Sequence, residues 1–459
     1  MGVLMSTMDM GMMRIALPPL GEVFGVGPNS VIWVQLIYLM VGTGSMLTMG
    51  KVADIYGRKR VFSLGLLIMS IGLTLCSLSQ NFGQLIASRF VFSIGATMSI
   101  ATINAIITTA FSTEERGKAL GLIGAVVSVG LLTGPAVAGF LIDTLGWRSI
   151  FYLRLPISIL AMISAFFLLK ADHPEKRQGR FDFIGAGLLL LAIPSLLFVL
   201  NRGQHLGWDS LLIIGLSIIG MVSLVLFIIT ERKVEQPILD LRLFYSRFFS
   251  TVTGSHILLY MSTASIDFTM PFFLIKSLSM PTTEAGLLLV TIPGIRMVVS
   301  PLSGKLSDKL GTRLLCGVGF CMIIVGMLLL RRLTIGASIA EIMALFVIIG
   351  LGMGLFTIPN TSAIMGAVPN ERLGTAAAMV GLLRQLGMSI GLAIAGSFFA
   401  TSSLSHSTEL LSQGIAAELV EKLSIAEGMQ DTLLLALLFP VLGLVISILR
   451  GREKRTSAI

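Results

Sequence analysis

Apolar runs of about 20 residues recur from one end of the chain to the other, each long enough to cross a hydrocarbon layer as an α-helix. Little sequence is left between them. Backbone amides in lipid must be paired internally, so such a chain can fold only as a bundle of spanning helices. The charge content agrees: 12% of residues are charged, against about a quarter in soluble domains, and the mean hydropathy is +0.92. A water-soluble enzyme with one anchor is excluded. Charged clusters and Gly/Pro/Asn punctuation divide the chain into fourteen segments. They lie at roughly 3–20, 30–49, 60–78, 83–110, 118–142, 149–169, 183–200, 210–230, 248–272, 284–303, 313–331, 339–363, 374–400 and 431–449. The expected class is an all-α integral membrane protein.

The 33 Lys and Arg residues set the orientation. If the segments alternate sides, 22 basic residues fall on one side and six on the other, with Arg14, Arg89, Arg154, Arg296 and Arg384 inside spans. The basic side is expected to be cytoplasmic and to hold both termini of a multi-pass inner-membrane protein. Trp33, Trp147 and Trp208 then fall at outer span ends, as an interfacial aromatic belt would place them. The net charge of +9 reports this topology, so no nucleic-acid partner is implied. Cys76, Cys316 and Cys321 all lie within apolar runs and offer neither a disulfide framework nor a metal spacing. No removable signal peptide is expected, because the first residues lack a basic n-region and a cleavage site.

A repeat organises the chain. Gly50-Lys-Val-Ala-Asp54-Ile-Tyr-Gly57-Arg58-Lys59 follows span 2, and Gly304-Lys-Leu-Ser-Asp308-Lys-Leu-Gly311-Thr312-Arg313 follows span 10, 254 positions later. Eight spans separate the copies, which implies a duplicated six-span unit with two spans inserted. The expected divisions are an N-terminal half at 1–170, a linker with two extra spans at 171–247, a C-terminal half at 248–450 and a tail at 451–459. In each copy the glycines permit a tight turn, the aspartate can cap or pair at a helix end, and the basic residues stay at the cytoplasmic surface.

This duplicated loop resembles the cytoplasmic signature of the major facilitator superfamily. Span 5 carries Gly130-Leu-Leu-Thr-Gly134-Pro135-Ala-Val-Ala138-Gly139, which is similar to the antiporter signature of proton-driven exporters, with Ala138 in place of one glycine. Asp9 before Ala16-Leu17-Pro18, Gly146-Trp-Arg-Ser-Ile-Phe151 and Arg384-Gln-Leu-Gly387 extend the likeness to the 14-span drug:proton antiporter family over essentially the full length. The resemblance implies a major facilitator fold of two six-helix halves plus two inserted spans. It implies Gly50, Asp54, Gly57, Arg58, Gly304, Asp308, Gly311 and Arg313 as gating residues, and Gly130, Gly134, Pro135 and Gly139 as a mobile interface. Asp9 and Arg89 would serve proton coupling, although Phe92 and Ser93 stand where the family has glutamine and glycine beside that arginine. Small residues in span 5 equally suit plain close packing.

An ionisable residue at mid-bilayer costs about 3 kcal/mol or more unless it is paired or lies in a wet cavity. Two acids, Asp9 and Asp267, face five arginines inside the spans. Asp9 and Arg14 are five residues apart, about 140° around a helix, so they are not an i,i+4 pair. Arg14 and Arg154 stand where the family keeps asparagine. Asp267 is a candidate for proton coupling and a possible counter-ion for Arg296 or Arg154. Arg14, Arg154 and Arg296 either face a central cavity that favours anionic or strongly accepting substrates, or are consumed by internal pairing. Gln35, Tyr38, Asn104, His256, Tyr260 and Asn360 are the candidate polar lining. Arg384 is read as a packing residue, Asp143 as a capping residue at a span end, and Ser402–Gln430 as an outer surface loop.

The expected function is a proton-coupled exporter of amphiphilic small molecules by alternating access, acting as a monomer in the lipid bilayer with no cofactor or metal. No P-loop is present, and Gly350-x-Gly352-x-Gly354 lies within span 12, where it suits helix packing. Export or exchange of anionic metabolites or lipids is the competing transport reading. A membrane scaffold or sensor is the reading from another class.

Overall fold

The computed structural model describes residues 1–110, 113–169, 182–234, 241–368 and 373–450. Among the described residues, helix is the only regular secondary structure. A first set comprises α1 (Gly2–Phe24), the single turn α2 (Pro28–Val31), α3 (Trp33–Tyr56), α4 (Arg58–Leu78), α5 (Phe82–Ala110), α6 (Thr113–Leu145), the short α7 (Ser149–Tyr152) and α8 (Leu155–Leu168). A pair follows, α9 (Phe183–Leu206) and α10 (Leu211–Lys233). The last set is α11 (Arg247–Phe272), α12 (Thr282–Leu289), α13 (Thr291–Leu310), α14 (Thr312–Leu330), α15 (Ile339–Gly366), α16 (Leu373–Ser412), α17 (Ala417–Ala436) and α18 (Leu438–Ile448).

Among the described residues, 13 helical stretches are long and apolar enough to cross a membrane. Helix α1 has the length, at 23 residues, but Asp9, Arg14, Pro18 and Pro19 lower its hydropathy. With α1 the count matches the fourteen expected segments. Spans 6, 10 and 14 are each two helices in tandem, α7–α8, α12–α13 and α17–α18.

Within the first set α1 packs on α6, and α5 packs on both α3 and α4. Within the last, α11 packs on α16, and α15 on both α13 and α14. The two sets meet where α12 lies on α6, α16 on α3 and α11 on α1, while α9 leans on α3 and α16.

The duplicated motif breaks the backbone at equivalent points. Gly57 between α3 and α4 has φ +97° and Gly311 between α13 and α14 has φ +84°, a region that side-chain-bearing residues rarely adopt. Gly50 and Gly304 do not form the turn expected of them, because α3 and α13 continue past both positions to Tyr56 and Leu310. Arg58, the first residue of α4, donates from Nε and Nη2 to Asp54 Oδ1 at 3.1 and 3.0 Å, tying the helix across the break. Asp308 sits in the last turn of α13, and Arg313 donates to the carbonyl of Ile448. The expected outer loop Ser402–Gln430 is instead the continuation of α16 and the start of α17, leaving only 413–416 between them. A small turn suffices because Gly414 takes φ +76°.

Helix α6 is held closely on two sides. A β carbon at Gly130 would fall 2.1 Å from Thr7 Oγ1, and one at Gly134 2.8 Å from the Met8 carbonyl, so these glycines admit α1. Toward the tryptophan-bearing end, a β carbon at Gly139 would fall 2.4 Å from the Thr282 carbonyl, and one at Gly286 2.4 Å from the Pro135 carbonyl. There Asp143 caps α12, accepting from the Thr283 amide and hydroxyl at 2.7 Å each. Lys276, in the π-helical turn Phe273–Ser277 that follows Pro271, reaches Glu22 of α1 and Glu421 of α17. Gly286→Val is expected to destabilise the purified protein by about 1–3 kcal/mol, the range for overpacking a close contact. Gly187→Ala, where a β carbon meets nothing within 4 Å, should leave the melting temperature unchanged or raise it. Equal melting curves for both would refute the close-packing account.

Candidate functional site

Asp9 of α1 is fully buried and is shared by two arginines from other helices. Arg89 of α5 grips it with both terminal nitrogens, at 2.8 Å to Oδ1 and 2.7 Å to Oδ2, while its Nε donates to the Val34 carbonyl of α3 at 3.0 Å. Arg154, between α7 and α8, approaches Oδ1 at 2.8 Å through Nη1 and donates from Nε to the Ile150 carbonyl at 2.7 Å. Aromatic rings complete the enclosure. The Arg89 guanidinium lies 4.8 Å from the Phe92 ring centroid and 5.7 Å from that of Tyr38, and that of Arg154 lies 5.6 Å from Phe92. One carboxylate against two guanidiniums leaves one positive charge in a solvent-free site, partly spread over ring faces.

A second ion pair lies in the centre. Arg14, five residues further along α1, points elsewhere and meets Asp267 of α11 at 2.9 Å. Both line a cavity of about 50 Å3 together with Arg296 of α13, Arg384 of α16, Tyr260 of α11 and Met10 of α1. A smaller cavity of about 30 Å3 shares Met10, Arg384 and Met388 and reaches Tyr38 and Gln385. Such volumes hold a few water molecules at about 10–15 Å3 each, so this conformation is closed around its centre. Three guanidiniums and one carboxylate converge there, and the buried Arg14 Nε has no acceptor among the described residues.

The placements correct several expectations. Arg154 does not line the central cavity, because Asp9 draws it into the sealed site. Asp267 is paired with Arg14, not with Arg154, and Arg296 stands beside that pair. Asn360 is fully buried, donating to the Val252 carbonyl at 3.2 Å, accepting from Ser255 at 3.3 Å and lying 3.3 Å from His256 Nδ1. Neither Asn360 nor His256 lines the central cavities, since their polar atoms are turned into this internal network. Gln35 is buried in α3 beside Val34 and is likewise outside both lining sets. Tyr38 and Tyr260 do line them. The side chain of Asn104 lies outside the described residues. Arg384, read as a packing residue, borders both cavities; its charge at mid-span was the available signal.

The description "Major Facilitator Superfamily" fits residues 1–392 as a family model. The chain belongs to the major facilitator superfamily. The riboflavin transporter RibZ of Clostridioides difficile is 32% identical over 87% of either chain. Multidrug resistance protein 3 of Bacillus subtilis is 30% identical over 86% of this chain and 77% of its own, and multidrug resistance protein Stp of Mycobacterium tuberculosis 29% over 87% and 74%. A solved bacterial homologue of the lysosomal transporter Spinster, inward-facing and unoccupied, shares the fold at TM-score 0.66 and 16% identity, over 98% of this chain and 94% of its own. A POT family transporter in complex with 5-aminolevulinic acid does so at TM-score 0.68 and 15% identity, over 98% and 95%. The protein is thus a multi-pass membrane transporter of this superfamily, not an enzyme.

Arg154 and Asp9 are unequal members of this group, because removing Arg154 leaves the neutral bidentate Arg89–Asp9 pair whereas removing Asp9 strands two buried cations. Asp9→Leu is expected to cost about 3–5 kcal/mol, the scale for orphaning a buried charge, and Arg154→Leu distinctly less. Thermal unfolding of the two purified variants checks the order; a reversed order would contradict the charge count.

Proposed function

We propose that this transporter is a proton-coupled exporter that exchanges amphiphilic small molecules against inward-moving protons by alternating access. The observation that carries the reading is the Arg14–Asp267 pair, which joins the two sets of helices inside the central cavity. Protonation of Asp267 removes the charge that holds Arg14. A substrate that engages the same carboxylate through a cationic or hydrogen-bond-donating group excludes the proton from it, so proton and substrate compete for Asp267 while Arg14 closes the pair when both are absent. Asp9, sealed between Arg89 and Arg154, supports the frame of α1, α5 and α8, and its proton exchange requires that frame to open. The Lys/Arg-rich end is taken as cytoplasmic, with both termini there. On that orientation the α6–α12 contact and the Asp143 cap close the outer end, and the repeated motif belongs to the inner gate. The halves at 1–170 and 248–450 rock about the cavity, with the 171–247 pair beside them, and the monomer suffices.

Apolar Met10, Met353 and Met388 around the charged centre suit ligands with a flat or flexible apolar body. The surplus of arginines over the single carboxylate supports a second reading, in which the cargo carries an anionic or strongly accepting group. Riboflavin, the cargo named for one relative, has carbonyl acceptors on an apolar ring system and belongs in any substrate panel.

The test is dissipation of a preset proton gradient in inside-out vesicles on adding cationic, neutral and anionic amphiphiles. Wild type should respond to at least one class, and Asp267→Asn should lower the response about tenfold or more, a loss of about 1.4 kcal/mol or more in coupling. An undiminished response at equal protein level would remove Asp267 from the proton path. Anions alone as effective substrates would establish the second reading.

A further inference from the structure

At the tryptophan-bearing end, apart from the central cavity, lies a second space of about 680 Å3, within the roughly 300–1,000 Å3 typical of small-molecule sites. Its walls come from α9, α16, α17 and the residues around α2. Asn201 of α9 lines it and is 1% exposed. Its Nδ2 donates to the Ala393 carbonyl of α16 at 3.3 Å, which fixes the orientation of the amide, and its buried Oδ1 receives no donor. Ser403 of α16 also borders the space, but its Oγ is turned onto α17, 2.0 Å from where a β carbon at Gly428 would stand. Buried polar atoms are normally satisfied, so the orphaned Asn201 Oδ1 marks where an incoming ligand supplies a hydrogen bond.

The rest of the lining decides the chemistry. No lysine or arginine lines it, His205 is the one ionisable base among its lining residues, the acid Glu421 is engaged by Lys276 at 3.3 Å, and hydroxyls and amides such as Ser407 and Gln204 alternate with Leu404 and Val420. We propose that this cavity is a second ligand site, selective for uncharged molecules that carry several hydroxyl groups on an apolar body. One ligand hydroxyl donates to Asn201 Oδ1 and others bond lining groups such as Gln204 and Ser407, while the apolar part covers the leucine and valine surface. A ligand carboxylate or phosphate finds no arginine here and only a lysine already held by Glu421 and Glu22, in contrast to the three arginines of the central cavity. Helix α16 connects the two places, because Arg384 and Met388 face the centre while Ser397 and Ser403 border this space. Asn201 belongs to α9, so the inserted pair supplies the wall that makes the site. Binding here requires no proton movement and stands independently of the proposed exchange.

The experiment uses the full chain in nanodiscs of phosphatidylglycerol, since sugar detergents would compete. Binding of 4-methylumbelliferyl β-D-glucoside is followed by fluorescence, with the glucuronide as its charged analogue. Wild type should bind the glucoside and discriminate against the glucuronide. Asn201→Leu, which removes the acceptor, and Ser407→Phe, which fills the space from α16, should each weaken binding about tenfold or more. Asp267→Asn in the central cavity should not. If Asn201→Leu fails to fold, Ser407→Phe decides. Displacement of the probe by glucosyl diacylglycerol in the nanodisc assigns the hydroxylated group to a lipid headgroup, and its absence to a free solute; both keep the site. No glucoside binding, unchanged affinity in the folded variants, or loss confined to Asp267→Asn would overturn the proposal.

Discussion

Asp9 can cross the hydrocarbon layer only because α5 and the α7–α8 junction each bring a guanidinium to it. The desolvation of three charges is offset by a bidentate contact, a second cation on the same carboxylate, two backbone carbonyls and the faces of Phe92 and Tyr38. Once α1, α3, α5 and α8 are fixed together in this way, the face of α1 carrying Arg14 is left toward the other helix set. Arg14, on another face of α1 from Asp9, meets Asp267 there while Asp9 keeps Arg89 and Arg154. The charges therefore divide into a sealed group that holds one set of helices together and an accessible group that spans the two sets.

Small residues complement this arrangement. Without a hydrophobic driving force between helices in lipid, close approach depends on residues that let backbones touch. Helix α6 uses Gly130 and Gly134 toward α1 and Gly139 toward α12, so one helix contacts α1 at one level and the opposing set at another. The Asp143 cap on α12 and the Lys276 bridge to Glu22 and Glu421 concentrate polar contacts at the same end of the bundle. Contacts of this kind near the surface are individually weak. They can open without disturbing the sealed group.

Much of this was legible in the residues alone. Lengths and spacing of apolar runs announced the spanning helices, since the bilayer permits few alternatives. The angle between Asp9 and Arg14 ruled out their pairing before any coordinates, and Asp143 was readable as a cap. The motif glycines were half legible: Gly57 and Gly311 break the backbone, whereas Gly50 and Gly304 ride inside helices whose ends depend on where the next helix can start. Ser402–Gln430 misled because its polar residues mark helices protruding from the apolar layer as readily as a loop.

The sequence by itself determined the membrane-spanning class, the number of spans and the chemical types that must meet inside them, because hydrocarbon thickness and desolvation act on local sequence. Which arginine meets which carboxylate was decided only by tertiary structure. Arg154 and Arg14 look alike along the chain, yet one is sealed against Asp9 and the other opens onto the centre. Asn360 and Gln35 could line a cavity by composition, yet the packing turns them away. Asn201 carries no signal at all until α9 is laid against α16. Pairing across helices depends on rotation and depth relative to a neighbour far away in sequence, and no local pattern encodes those quantities.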